Sequence, residues 1–151
     1  MTTTATPTRR QLSLRRIESE VGVLIRRVRR VIGERARAVH PDLAPSTYLL
    51  LAHVAETGPL RASALVDDMG MDKGAVSRQV THLVDLGLLE RSQDPDDGRA
   101  TLLVASADAH DRLGRVGRER SERFGQQLSS WSDQDLSDLA DRLTRYNAAL
   151  D

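Results

Sequence analysis

The chain has 151 residues, with 22 basic and 22 acidic side chains and no cysteine. The absence of cysteine excludes disulfides, thiolate metal sites and thiol-based nucleophiles or redox switches. No apolar run approaches the roughly 18 residues that a membrane span needs, and the length suits one domain with helical extensions. We therefore expect a soluble cytoplasmic protein with no membrane partner.

The net charge of zero conceals an uneven distribution. Residues 1–40 carry ten arginines against three glutamates, a net charge of +7. Residues 41–91 and 92–107 are net acidic, by −3 and −2. The basic charge therefore lies in the first quarter of the chain, and the segment that carries the motifs described below is acidic.

The first part of the chain predicts a disordered tail over residues 1–11, followed by a long helix over residues 13–39. Within that helix the apolar residues recur at steps of three or four, as one face of a helix requires: Ile17, Val21, Leu24, Val28 and Ile32. Pro41 ends the helix.

Three shorter helices are predicted next. The first begins at Pro45, a favoured first-turn position, and runs to Gly58. The second covers residues 62–69 and is stopped by Gly70. The third begins after Asp72, a good N-cap, and ends at Gly87. Its apolar side chains lie on one face: Val76, Val80, Leu83 and Val84.

The pattern changes after Gly87. Residues 88–92 and 101–104 are two short extended candidates, and the turn-forming residues 93–100 between them predict a hairpin with a long tip. A polar helix over residues 107–130 and a last helix capped by Ser132 complete the chain. The predicted fold is mostly α with a small β-hairpin, and its helix–turn–helix followed directly by a hairpin is the layout of a winged helix–turn–helix.

The third of the short helices displays polar side chains opposite its apolar stripe. Arginine can bind guanine with two hydrogen bonds, glutamine can bind adenine in the same way, and serine or lysine can bind phosphate. The candidates are Lys73, Ser77, Arg78, Gln79, Thr81 and His82. The alternative is an ordinary solvated helix face, which shows the same residue types.

Residues 60–105 resemble the MarR family of bacterial transcription regulators. The matching segments are LVDDMG (65–70), DKGAVSRQV (72–80), LGLLER (86–91) and DPDDGRA (94–100). The resemblance implies a homodimer in which residues 12–44 and 108–151 form a helical dimerisation region. Residues 45–107 would form the winged helix–turn–helix DNA-binding domain. The apolar faces of the first and last helices favour the dimer independently, although they could also pack on each other within one chain.

The resemblance also implies roles for residues of the wing. Arg99 would enter the minor groove of double-stranded DNA, and Asp97 would hold it or brace a neighbouring basic residue. Gly98 stands where the family often has a second arginine, and the wing is net acidic. Arg61 stands where the family commonly has Thr or Ser, and we expect it, with Lys73, to anchor a phosphate. Asp-Gly-Arg is equally an ordinary hairpin tip.

The resemblance further implies a small aromatic or anionic effector bound between the dimer region and the winged domain. No residue spacing identifies its site. A zinc site is a weaker alternative, because His40, His53 and His110 are isolated in sequence. We therefore expect no cofactor and no metal.

Taken together, the sequence favours a homodimeric, sequence-specific transcription regulator, a repressor on a pseudopalindromic operator, with release by a small ligand left open. No motif of an enzyme is present: there is no nucleophile elbow, phosphate-binding glycine loop or His-Glu-x-x-His. The alternative is a helical protein–protein adaptor built on a winged helix that does not bind DNA, and the acidic segment 41–107 favours it.

Overall fold

The computed structural model describes residues 8–150, which form six helices and three short strands. Their order is α1 (Arg9–Val39), α2 (Pro45–Thr57), β1 (Leu60–Arg61), α3 (Ala62–Met69), α4 (Lys73–Asp85), β2 (Leu89–Gln93), β3 (Thr101–Ala105), α5 (Ala107–Gln127) and α6 (Asp133–Ala148). The chain divides inside α5, between Leu113 and Gly114, into two compact units. None of the described helices has the length and apolar character needed to cross a bilayer.

Helix α1 begins four residues before the predicted start. A capping box causes this, because the Thr8 hydroxyl accepts a hydrogen bond from the Gln11 backbone N–H at 3.3 Å while the Gln11 side chain accepts one from the Thr8 N–H at 2.7 Å. Residues 9–11, which the sequence assigns to a disordered tail, are therefore helical. The rest of that predicted tail, residues 1–7, lies outside the described residues.

Helices α2, α3 and α4 form the core of the first unit. Pro45 occupies the first turn of α2, and Asp72 caps α4 by accepting a hydrogen bond from the Ala75 N–H at 2.9 Å, both as predicted. Gly70 and Gly87 follow α3 and α4 with φ of 59° and 69°, a left-handed conformation that glycine adopts without steric cost. The side chains with which these helices fill the core include Leu50, Leu51, Val54, Leu65, Val76 and Leu83.

The predicted hairpin is present, and a third strand extends it. Strands β2 and β3 pair antiparallel from Leu89 opposite Ala105 to Gln93 opposite Thr101. The two-residue strand β1 pairs with the other edge of β3, giving the order β1–β3–β2. Sequence patterns do not predict β1, because two residues are too few to show alternation. Its consequence is to place Arg61 beside the end of the hairpin from which the long tip extends.

The second unit contains the end of α5 and all of α6. The predicted capping box is present, with the Ser132 hydroxyl and the Asp135 carboxylate each accepting from the other's backbone N–H. Helix α6 buries no residue within the chain. Its leucines are exposed, as are several apolar residues of α1: Leu136, Leu139 and Leu143 in α6, and Leu12, Ile17, Leu24, Ile25 and Val28 in α1. Exposed apolar faces of this kind are typical of protein–protein contacts.

Replacing Asp72 by alanine removes the N-cap of α4 and leaves the Ala75 N–H without its acceptor. We expect the free energy of unfolding to fall by about 1 kcal/mol, measured by urea denaturation at one fixed protein concentration. Asp67→Ala, at an exposed aspartate of α3, is the matched control and should have little effect. Equal losses in the two variants would show that the cap does not stabilise α4.

Candidate nucleic-acid interface

The outer face of α4 carries exposed polar side chains, Thr81 among them. Val76, Val80 and Leu83 are buried, which turns the opposite face of the helix to solvent. Lys73, Ser77 and Arg78 are exposed. These three supply an ammonium, a hydroxyl and a guanidinium, which are donors suited to phosphate oxygens and base edges.

Gln79 and His82 lie on the flank of α4 and not on its outer face. The Gln79 side-chain amide donates to the Ser46 hydroxyl at 3.4 Å, and the His82 Nε2 lies 3.2 Å from the Asp42 carbonyl oxygen. Both side chains are half-buried against the start of α2 and the turn before it. The sequence predicts that Gln79 and His82 contact bases or phosphates together with Arg78. In the structure the two residues lie on the flank of the helix, whereas Arg78 lies on its outer face. Periodicity alone does not show which flank a neighbouring helix covers.

The wing, defined here as residues 93–100 between β2 and β3, is organised around Asp94. The Asp94 N–H donates to the Ala100 carbonyl at 3.1 Å, and its Oδ1 accepts from the Asp96 N–H at 3.0 Å. The Gln93 side-chain amide donates to the Gly98 carbonyl at 3.1 Å. A long tip rich in turn formers is therefore closed by hydrogen bonds of its own residues.

Arg61 binds this wing from outside. Its Nε and Nη2 lie 3.0 and 2.6 Å from the same Oδ2 of Asp94, and its Nη2 lies 3.7 Å from the Asp97 Oδ2. The Arg61 side chain is 48% exposed and that of Asp94 only 9%. The sequence predicts Arg61 as a phosphate anchor, but the structure directs its guanidinium to the wing carboxylates.

The contacts of Asp94 lower its pKa. Hydrogen bonds from the Asp96 N–H and from Arg61, aided by the Arg61 charge, hold the pKa of Asp94 below its ordinary value and outweigh the effect of burial. The hydrogen bond and charge of Asp94 in turn raise the pKa of Arg61. Both groups are therefore charged at neutral pH.

Arg99 lies at the exposed tip of the wing. Its backbone N–H donates to the Asp97 Oδ1 at 3.1 Å. Within residues 8–150, the Arg99 guanidinium takes part in no hydrogen bond or ion pair. Asp97 makes contacts that fit both roles predicted for it, because its Oδ1 holds the Arg99 backbone and its Oδ2 lies 3.7 Å from the Nη2 of a neighbouring basic residue, Arg61. Gly98 beside it has no positive φ, and a Cβ there would meet only the Gln93 side-chain nitrogen, at 3.5 Å.

A cavity of about 410 Å³ lies within the first unit, between α3, α4 and the sheet. Its polar lining comes from Ser63, Asp67, Lys73, Ser77, Arg91 and Thr101, and its apolar walls come from residues such as Val66, Val80 and Leu103. Arg91 is absent from the residues that the sequence singles out. It is an exposed residue of β2 that pairs with Leu103, another residue of the cavity lining.

His40 and His53 do not belong to one cluster, because each lies beside a different aspartate. The His53 Nε2 lies 3.0 Å from the Asp68 Oδ2, and the His40 Nδ1 lies 4.0 Å from the Asp42 Oδ2. Among the described residues, no three His, Asp or Glu side chains are close enough together to hold a metal ion. The zinc alternative therefore finds no site in that part of the chain.

Comparison with known proteins identifies relatives that are transcriptional regulators. The model of the MarR family matches residues 42–100. The chain is 33% identical over 133 residues to the uncharacterized HTH-type transcriptional regulator YxaD of Bacillus subtilis (strain 168), covering 88% of this chain and 92% of that protein. It is 25% identical over 128 residues to a second such regulator of the same organism, YdgJ, covering 85% and 77%.

Two solved structures show the same fold. FabT of Streptococcus pneumoniae, determined in complex with DNA, superposes with a TM-score of 0.79 at 14% identity and covers 91% of this chain and 96% of that one. A MarR family regulator from Listeria monocytogenes, complexed with 26mer DNA, gives a TM-score of 0.67 at 19% identity and 87% coverage of each chain. At these identities the likeness establishes the winged helix–turn–helix fold.

The lowered pKa of Asp94 predicts a pH-dependent effect on stability. The charged carboxylate stabilises the folded chain above the pKa of the unfolded state, and this contribution is lost as the pH falls through the lower folded-state pKa. Asp94→Asn should therefore lower the Tm at about pH 7, and the gap to the wild-type protein should narrow towards about pH 3. Calorimetry across this range measures it.

Asp96→Asn serves as the control, because Asp96 is an exposed carboxylate of the same wing. Its Tm should follow that of the wild-type protein more closely throughout. A gap for Asp94→Asn that is the same at both ends of the range would contradict the assignment to the Asp94 charge.

Proposed function

Because the chain belongs to the MarR family of transcriptional regulators, we propose that it is a homodimeric repressor that binds a pseudopalindromic operator. The observation that carries the proposal is the exposed Lys73, Ser77 and Arg78 face of α4 in the same compact unit as a wing with Arg99 at its tip. A helix of this kind enters the major groove, and a wing arginine is attracted by the negative potential of a narrow minor groove. Such a regulator works in the cytoplasm, where the chromosome lies.

The proposed contacts follow from exposure. Arg78 reads base edges, Ser77 and Lys73 bind phosphates or nearby edges, and Arg99 occupies the minor groove. Gln79 and His82 position α4, since Gln79 contacts the start of α2 and His82 contacts the turn before it. Asp97 belongs to the wing's own structure, because its carboxylate faces Arg61 and the Arg99 N–H.

The homodimer is supported by the apolar faces that the single chain leaves exposed. The α6 leucines lie three and four residues apart, so they form one stripe, and no residue of this helix is buried. A two-fold dimer buries the same surface of both copies at once. It also presents two α4 helices to the two half-sites of one operator.

A small anionic or aromatic effector is the regulatory part of the proposal. The cavity beside α4 supports it, because the cations of Lys73 and Arg91 outnumber the one carboxylate of the lining, that of Asp67, and lie next to hydroxyl groups and apolar walls. A ligand there would occupy Lys73 and Ser77, which the operator also needs. Operator titrations with benzoate as a probe anion test this part, and an unchanged affinity at millimolar benzoate would argue against it.

The alternative function, a helical adaptor that does not bind DNA, is favoured by the acidic segment 41–107. At the wing the geometry weakens this argument, because Asp94 and Asp97 both face the Arg61 guanidinium. Only Asp96 among the three wing aspartates has no basic side chain within ion-pair distance in the described part of the chain. The adaptor is therefore the less well supported candidate.

Titration of the purified protein with the duplex upstream of its own gene and with a scrambled duplex, at two salt concentrations, tests DNA recognition. Arg78→Ala should cost about 1–3 kcal/mol on the specific duplex and reduce the preference over the scramble. Lys73→Ala should weaken both duplexes alike and lower the salt slope by about one. Equal losses on both duplexes for Arg78→Ala would remove Arg78 from base recognition.

The dimer has its own test. Leu139→Asp places a charge in the centre of the α6 stripe, and we expect dissociation to a monomer at micromolar concentration, measured by sedimentation equilibrium. Asp141→Asn, an exposed substitution in the same helix, should leave the mass unchanged. A dimer that survives Leu139→Asp would exclude this stripe from the interface.

A further inference from the structure

Arg61 occupies an unusual place at the junction of three elements. It is the last residue of β1, it pairs with Leu102 of β3, and it is the N-cap residue of α3 without providing a capping side chain. Its side chain is therefore free of the local role that a Ser or Thr would have at this position. Instead it reaches the wing, 33 residues further along the chain.

The partner of Arg61 is the residue that closes the wing. Asp94 holds one side of the turn through its N–H to Ala100 and the tip through its Oδ1 to the Asp96 N–H. The other oxygen, Oδ2, accepts both donors of Arg61. Because the Asp94 side chain is only 9% exposed, its negative charge is stabilised by these partners more than by water.

Arg61 also changes the field in which Arg99 works. The wing carries three aspartates and one arginine, and carboxylates facing DNA repel its phosphates. Arg61 lies within 4 Å of two of these carboxylates, those of Asp94 and Asp97. It therefore compensates charge that would otherwise oppose the approach of the wing to DNA.

We propose that Arg61 is a positioning residue for DNA recognition, which fixes the wing to β1 and α3 through Asp94 and Asp97 and thereby presents Arg99 to the minor groove. The proposal rests on the proposed function, because the role of Arg99 belongs to that function. It replaces the expectation that Arg61 anchors a phosphate itself. A guanidinium with two donors on a shielded carboxylate is held in place, and Lys cannot reproduce that fork.

Asp94→Asn separates positioning from simple electrostatics, because the two predict opposite signs. Removing a negative charge from a surface that faces DNA should tighten binding if only charge matters. If Asp94 holds the wing through Arg61, the operator affinity should instead fall, by about threefold to tenfold. Asp96→Asn removes an equal charge from the same wing without touching the Arg61 fork, so its affinity should be unchanged or higher. Tighter binding by Asp94→Asn would overturn the proposal.

A double-mutant cycle between Arg61 and Arg99 tests whether one acts through the other. We expect Arg99→Ala to weaken operator binding about tenfold and Arg61→Ala about fivefold. The double variant should be about as weak as Arg99→Ala alone, because a wing without Arg99 gains little from being positioned. A loss of about fiftyfold, the product of the two, would show that Arg61 contacts DNA independently. Arg61→Lys should recover part of the Arg61→Ala loss.

Hydrogen exchange of the free protein supplies a readout that needs no DNA. The Asp96 N–H donates to the Asp94 side chain and the Ala100 N–H donates to the Asp97 carbonyl. Both amides should exchange faster in Arg61→Ala than in the wild-type protein, while the exchange rates of the α2 amides should not change. Unchanged exchange at the wing would overturn the positioning role. If the wild-type dimer shows no preference for its operator while these amides respond, the proposed function fails and the mechanical role of Arg61 stands.

Discussion

The burial of one face of α4 is the constraint on which the rest of the site depends. Val76, Val80 and Leu83 are almost completely removed from solvent, and their burial fixes the rotation of the helix about its axis. That rotation turns Lys73, Ser77 and Arg78 outward and Gln79 and His82 toward α2. The chemistry of the outer face is therefore decided by hydrophobic contacts that never meet a ligand, because an apolar stripe can satisfy the core in only one orientation.

The wing is positioned by different physics. A hairpin of two five-residue strands has little apolar area of its own, and its long polar tip cannot be held by burial. Hydrogen bonds and an ion pair do this work. The Arg61–Asp94 contact is shielded on the carboxylate side, which makes it more robust to salt than the exposed i, i+4 pair of Arg30 with Glu34 in α1.

Much of this fold is readable from the sequence because local signals and burial agree. Asp72 and Ser132 cap helices where they are predicted to, and Gly70 and Gly87 end helices in the left-handed conformation. The sequence does not reveal β1, which is too short for a pattern, or the contact of Arg61 with Asp94, which joins residues far apart in the chain. It also cannot show which flank of α4 a neighbouring element covers, and Gln79 and His82 illustrate this. Local rules predict elements, whereas contacts between distant elements depend on their packing.

Gly98 is a position of the wing at which other residues can be accommodated. Many glycines in tight turns are irreplaceable because their backbone is left-handed or their Cβ would collide with a neighbour. Neither condition applies at Gly98, where a Cβ would meet only the end of the flexible Gln93 side chain at ordinary contact distance. The position is therefore open to side chains. A lineage carrying this protein could gain a second wing cation there by a single residue change, without rebuilding the scaffold.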